Sequence, residues 1–233
     1  MHSKFQLRVL LFARVPLDQY LILVQIVLLV LFFGSSCIAC SAVVLKATNK
    51  TFLAKNFDWT YGDGYLIKNV RGASKKAFYT SEGTAVSWTS RYGSVTFNQN
   101  GKEMPYGGMN EKGLVIEMLW LDYTSYYDVA ALPYLNELEW IQYQLDNYQS
   151  VAEVLSNLEK LSIRPIKGKI HYIVADPTGQ SIVIEHIGGK ILHQEKTAHS
   201  CQVITNYYIK SSETWFSNKA NASKGNVTNA LYR

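Results

Sequence analysis

No cluster of lysine and arginine, no apolar run of membrane-spanning length and only three cysteines occur in this 233-residue chain. Each shortage excludes something. The formal charge is +5, but Lys4, Arg8, Arg14 and Asp18 near the N-terminus supply three positive charges and one negative, leaving about +3 from Cys40 onward. That excess is too mild and too dispersed for a nucleic-acid partner, and no stacked aromatic motif argues otherwise. With 48% hydrophobic and 18% charged residues, the composition is that of a globular protein long enough for a substantial core.

The longest apolar run, "LILVQIVLLVLFF" from Leu21 to Phe33, is broken by Gln25 and falls short of the ~20 residues that a spanning helix needs. Basic residues precede it and small ones follow, which is the pattern of a secretory leader, so an exported, periplasmic or secreted protein is expected. Adding Leu17 to Tyr20 leaves an uncleaved anchor open. Signal peptidase favours small residues at the third and first positions before its cut, and Cys37-Ile38-Ala39 meets that demand with Cys37 as the small residue. The expected organisation is a leader over 1–39 and one domain over 40–233, which begins with Cys40.

Three readings of that cysteine stand open. Cys40 and Cys201, left after leader removal, could form one disulfide. Cys40 could carry a lipid, as in an envelope lipoprotein, although Cys37 stands where an aliphatic residue is usual. Or it is an N-terminal nucleophile whose own α-amino group serves as base. A free α-amino group titrates near 7.7–8.0, so it accepts a proton at neutral pH where a lysine near 10.4 does not. The thiol needs less help than a hydroxyl, being intrinsically nucleophilic and partly ionised near pH 7.

Downstream, "SAVVLKATNKTFLAKNFDW" alternates apolar and polar residues on both sides of a turn-like Ala47-Thr48-Asn49-Lys50, which predicts a hairpin. Its second strand returns toward Cys40 carrying Lys55, Asn56, Asp58 and Trp59. On spacing alone Lys55 reads as a solvated charge and Asp58 as a turn residue.

These residues resemble the mature start of the choloylglycine hydrolase and penicillin V acylase family, which begins with Cys and carries an Arg-Asn-x-Asp-Trp type motif at the end of the second strand. "GGMNEKGLVIEMLWL", "HYIVADPTGQSIVIEH" and "QVITNYY" resemble further family segments in the same order, so the resemblance spans Cys40 to Arg233. It implies an α+β fold, the N-terminal nucleophile hydrolase αββα four-layer sandwich, and hydrolysis of non-peptide linear amides through a thioester. Bile salts, penicillin V and N-acyl homoserine lactones are the substrate types it implies.

Residue by residue, the resemblance makes Cys40 nucleophile and base, Asp58 the acceptor that holds the α-amine, and Asn206 the oxyanion donor. A main-chain N–H at the strand position of Trp120 would join Asn206, and Trp59 and Trp120 would wall the substrate pocket in favour of a compact aromatic or acyl group. Lys55 stands in place of the family's arginine beside the thiol, keeping the charge but not the planar fork. The resemblance also implies a late catalytic arginine, aligned with Arg233. Family members generally continue further, so the sandwich is expected to lack its C-terminal strands, with a sheet edge and apolar surface exposed. It implies no cofactor, and a small-molecule amide as partner. Membrane association is expected only through the leader or a lipid, and a homo-oligomer stays open. A non-catalytic envelope lipoprotein, or a decayed relative, is the competing class.

Elsewhere, strands are expected at "YLIKNV", "KAFYT", "AVSWTS", "SVTFNQ" and "GLVIEMLWL". Two helices should follow, one over about 132–148 and one starting at the capping box "SVAE" and running toward Pro165; a strand meander then closes the chain. Strands, two helices and strands again imply sheet covered by helix. His171, His186 and His193 fall on the meander, where alternation should scatter them rather than form a metal site. Cys201 reads as a buried small apolar residue. The tyrosines of "DYTSYYD" suit either a pocket wall or packing of the helical layer. Asn-x-Ser/Thr sequons start at Asn49, Asn221 and Asn226.

Overall fold

The computed structural model describes residues 40–47, 50–78, 83–166, 168–196 and 201–209. The expected leader, the asparagines of the three sequons and Arg233 lie outside the described residues. At the start of the described chain, β1 (Ser41–Ala47) and β2 (Lys50–Asn56) form the expected hairpin, with Ser41 opposite Asn56 and Ala47 opposite Lys50. Alternation in the sequence becomes alternation of faces: Thr51, Leu53 and Lys55 turn inward from β2, while Phe52, Ala54 and Asn56 face out.

Next come β3 (Tyr65–Asn69), β4 (Ser74–Lys76), β5 (Ser87–Thr89), β6 (Ser94–Asn98), β7 (Pro105–Asn110), β8 (Val115–Trp120) and the short β9 (Tyr134–Leu135). Two helices follow, α1 (Glu137–Asn147) and α2 (Val151–Leu155). The remaining strands are β10 (Ser162–Ile163), β11 (Ile170–Ala175), β12 (Ser181–Ile187), β13 (Lys190–Lys196) and β14 (Gln202–Thr205).

Five points differ from the sequence expectation. β4 is Ser74–Lys76, so of the described residues of "KAFYT" only Lys76 lies in a strand, and Phe78 is exposed. β7, unexpected because "PYGGMN" has no apolar alternation, depends on glycine: a Cβ at Gly108 would collide with the Val95 carbonyl and Thr96 of β6. α1 starts at Glu137 rather than 132 because Asn136 caps it. Asn136 Oδ1 accepts from the N–H groups of Leu138 (2.9 Å) and Glu139 (2.8 Å), and Glu139 Oε2 accepts from the Asn136 N–H (3.0 Å), a full capping box. At α2 only half of the expected box forms, since Ser150 Oγ accepts from the Glu153 N–H while the Glu153 carboxylate turns to the Gln149 N–H. α2 ends at Leu155; a 3₁₀ turn over Leu158–Lys160 leads into β10 instead of a continued helix.

A seven-stranded sheet, ordered β13-β12-β11-β8-β7-β6-β3, forms the centre, and a three-stranded sheet, ordered β14-β1-β2, packs on one of its faces. On the other face, Ile116, Met118, Tyr172, Val174, Ile182 and Ile184 meet Leu138, Ile141, Leu145, Val151 and Val154 of the helices. Between the sheets, Leu119, Ile173, Ala175 and Val183 meet Cys40, Ala42, Val44 and Ile204. Strands β11 and β12 are therefore buried on both faces, which explains their nearly continuous apolar runs. The order helix, sheet, sheet makes three layers of the expected four; a helical layer outside the three-stranded sheet is not among the described residues. Leu66, Val95, Phe97 and Met109 are exposed on β3, β6 and β7.

Candidate active site

The centre of the three-stranded sheet is where the candidate residues meet. Ser41 pairs with Asn56 on one side and with Thr205 on the other. Continuing both registers by one residue sets Cys40 between Phe57 and Asn206. Cys40, Ala42 and Val44 share the inward face with Leu53 and Lys55 of β2 and with Gln202 and Ile204 of β14. Cys40 is 4% exposed, its side chain in the core between the sheets.

Asp58 reaches Cys40 through its main chain: the thiol donates to the Asp58 carbonyl at 3.6 Å. Its carboxylate is held at the end of the hairpin by Asn56, whose Nδ2 donates to Oδ2 at 2.9 Å. Asn206 follows the last residue of β14, and its Oδ1 is buried without a hydrogen-bond partner. Buried polar atoms are rarely left so, and each asks for an explanation. Beyond Asn206, the Ile209 N–H donates to Glu185 Oε1 (2.9 Å), and the same oxygen lies 3.1 Å from His171 Nδ1. That buried pair ties down the segment that carries Asn206.

Lys55 is not the solvated charge that spacing alone suggests, since its side chain is buried. Its register partner is Ala42 rather than Cys40, and its ammonium reaches across to the larger sheet, 3.1 Å from Glu117 Oε2 and 3.4 Å from the Tyr106 carbonyl. It also lies 4.7 Å from the centre of the Phe57 ring. Burial pushes the Glu117 carboxyl above its ordinary range, and the Lys55 charge pulls it part of the way back. Glu117 fits because Gly107 lies opposite it on β7; a Cβ there would overlap the carboxylate. The sequence reading missed Glu117, although a carboxylate between Val115 and Leu119 on an inward-facing row was its visible signal.

Trp59 and Trp120 do come together, with ring centroids 5.8 Å apart. Phe57 extends the cluster, 6.3 Å from Trp59 and 5.6 Å from Tyr106, and neither Phe57 nor Tyr106 was anticipated. Trp120 is oriented by a 2.6 Å hydrogen bond from Nε1 to Asp122. The "DYTSYYD" tyrosines divide: Tyr126 packs on His186, whereas Tyr123 is exposed with its ring against Tyr208.

Cys40 and Cys201 are both free thiols. Cys201 is exposed, a correction to the buried residue expected: β14 turns Gln202 and Ile204 inward, so Cys201 and Val203 face out. Cys201 precedes β14 and Asn206 follows it, so the two thiols lie at opposite ends of that strand, too far apart for the bridge left open above. His171 and His186 face opposite sides of the large sheet and His193 is exposed; among the described residues no group of three or more His, Cys, Asp or Glu could hold a metal. A cavity of about 430 Å³, lined by Thr124, Tyr126, Arg164 and Lys169 among others, lies elsewhere; of the site and pocket candidates singled out from sequence only Tyr126 lines it, and neither Cys40, Lys55, Asp58, Trp59, Trp120 nor Asn206 does.

Comparison with known proteins bears on the family and the fold. The family model described as linear amide C–N hydrolases, choloylglycine hydrolase family, matches residues 40–216. Penicillin V acylase of Pectobacterium atrosepticum is 34% identical over 139 residues, 52% of this chain and 36% of that protein. A bile salt hydrolase/transferase of Lactiplantibacillus plantarum is 28% identical over 160 residues, 64% of this chain and 47% of that one. Among solved structures, penicillin V acylase from Agrobacterium tumefaciens superposes with a TM-score of 0.67 at 29% identity, over 79% of this chain and 57% of that chain. Conjugated bile acid hydrolase from Clostridium perfringens does so with a TM-score of 0.63 at 21% identity, over 80% and 58%. The chain thus spans less than half the length of the curated relatives it matches. Its fold is α+β, of the N-terminal nucleophile hydrolase type.

Proposed function

Because the chain belongs to the choloylglycine hydrolase family of linear amide C–N hydrolases, we propose that it hydrolyses a small N-acyl amide with Cys40 as N-terminal nucleophile. The observation that carries this reading is the register of the three-stranded sheet, which sets Cys40 between the Asp58 end of β2 and Asn206 at the end of β14. Export removes residues 1–39 and frees the α-amino group of Cys40. That amine, held by Asp58, takes the thiol proton as sulfur attacks the acyl carbonyl. Asn206 Nδ2 and the main-chain N–H of Trp120 receive the developing oxyanion; one such donor is typically worth ~3 kcal/mol. The Asn206 Oδ1 is buried with no hydrogen-bond partner, so turning this amide toward an incoming ligand would break no hydrogen bond at that oxygen.

Collapse of the tetrahedral intermediate breaks the C–N bond, and the α-ammonium returns its proton to the leaving amine. Water, deprotonated by the same amine, then cleaves the thioester and releases the acid. Arg233 is proposed as a further contributor on the resemblance alone. The aromatic cluster of Phe57, Trp59, Tyr106 and Trp120 suits a flat or compact acyl group, such as the phenoxyacetyl group of penicillin V, over a sterol. The test is a panel of phenoxyacetyl, acyl-homoserine and bile-acid amides, assayed for amine release by the mature chain and by Cys40→Ser. Release by the wild type alone supports the reading; no release from any amide sinks it.

A further inference from the structure

Lys55 and Glu117 form a buried ion pair between the two sheets, with side chains only 10% and 12% exposed. The position of this pair relative to Cys40 follows from register. Ala42 is opposite Lys55, so Cys40, two residues back on the same face, is the diagonal neighbour of Lys55. Diagonal neighbours on adjacent strands lie ~7–8 Å apart. Among the side chains of the described residues Lys55 is the cation nearest the thiol in register, yet its ammonium is turned across the interface to Glu117 and the Tyr106 carbonyl. A lysine so paired presents the thiol with a dipole instead of a full positive charge. The pocket for Glu117 is built, since Gly107 leaves the volume that its carboxylate fills.

We infer that Glu117 is a positioning residue for the proposed hydrolysis: through Lys55 it sets how much positive charge reaches the Cys40 thiol. With Glu117 ionised, the Lys55 charge is largely spent on its partner. Without that charge, Lys55 favours the thiolate. This assignment rests on the reading of Cys40 as nucleophile, but the state of the thiol can be measured without turnover. The freed α-amino group of Cys40 itself titrates within the same range near the thiol, and it is common to wild type and variants, so the comparison between them reads the Glu117 effect. Asp58 is bonded by Asn56, and the Tyr106 hydroxyl accepts from Asn100 Nδ2. His171 and Glu185 bond each other, Lys46 is tied to the Thr178 carbonyl at the far end of β1, and Lys68 is exposed on β3.

The test is alkylation of the mature chain by iodoacetamide across pH 5–10, with Cys40 and Cys201 peptides quantified separately by mass spectrometry. In Glu117→Gln, which keeps the shape and one acceptor, the Cys40 midpoint is expected to fall by about one pH unit, while exposed Cys201 serves as an unshifted internal reference. An unchanged Cys40 midpoint in a folded Glu117→Gln protein overturns the assignment and leaves Glu117 a packing residue. If Glu117→Gln does not fold, Lys55→Gln is compared with the neutral double variant Lys55→Gln/Glu117→Gln. The double variant should have the lower midpoint, and equal midpoints overturn the assignment. A shifted midpoint in a protein that hydrolyses none of the amides would retain the role of Glu117 and discard the proposed function.

Discussion

Asn206 stands across from Cys40, one step beyond the Ser41–Thr205 pair that closes the β1–β14 ladder. Their sequence separation is large, yet a single strand register makes them neighbours, and the donor role proposed for Asn206 follows from that placement. Asn206→Ala should lower kcat by roughly 10²–10³-fold with little change in KM, because an oxyanion donor acts on the transition state. Steady-state kinetics on the best substrate of the panel checks this. A change confined to KM would assign Asn206 to ground-state binding.

Trp59 and Trp120 touch through their rings, so each supports the other against the acyl group. Trp59→Ala and Trp120→Ala should each raise KM for a phenoxyacetyl amide more than for a short linear acyl amide, by about ten-fold, the effect of ~1.4 kcal/mol. Equal effects on both substrates would remove the cluster from substrate selection.

Asn136 satisfies two N–H groups at the start of α1 and is itself satisfied by Glu139. Asn136→Ala should cost about 1 kcal/mol, and up to ~2 kcal/mol because the box is buried. Urea unfolding followed by circular dichroism measures it, with the midpoint moving down at constant slope.

His186 is buried, and the Tyr127 N–H donates to its Nδ1 at 3.2 Å, so the ring is neutral with its proton on Nε2. Burial lowers its pKa from 6.5 to about 4. Because the folded value is the depressed one, the unfolded chain binds the extra proton between these values. The contribution of His186 to stability is complete above about pH 6.5 and is lost as pH falls toward 4, on the order of 3 kcal/mol in all. His186→Gln should flatten that part of the stability–pH curve relative to wild type. Parallel curves would show that some other group carries the acid sensitivity.

The hairpin, the meander and the presence of two helices between the strands were legible because apolar periodicity reports burial directly. That Cys40, Asp58 and Asn206 come together at one end of the three-stranded sheet was legible only through several motifs in order, since spacing alone left Asp58 a turn residue. β7 was invisible because its requirement is the absence of side chains at Gly107 and Gly108, set by Glu117 and by β6. The partner of Lys55 was invisible for a related reason: it lies on the other sheet, and no local pattern states which strands face each other. Cys201 was misread because hydrophobic character says nothing about which side of β14 a residue takes.

The most direct test is mass spectrometry of the N-terminal peptide of the exported chain, quenched in acid during turnover of a phenoxyacetyl amide. A peptide that begins with Cys40 and carries the acyl mass on that residue's sulfur is the predicted result. A peptide that begins ahead of Cys40, or a Cys40 that never gains the acyl group while amine is released, would contradict the mechanism.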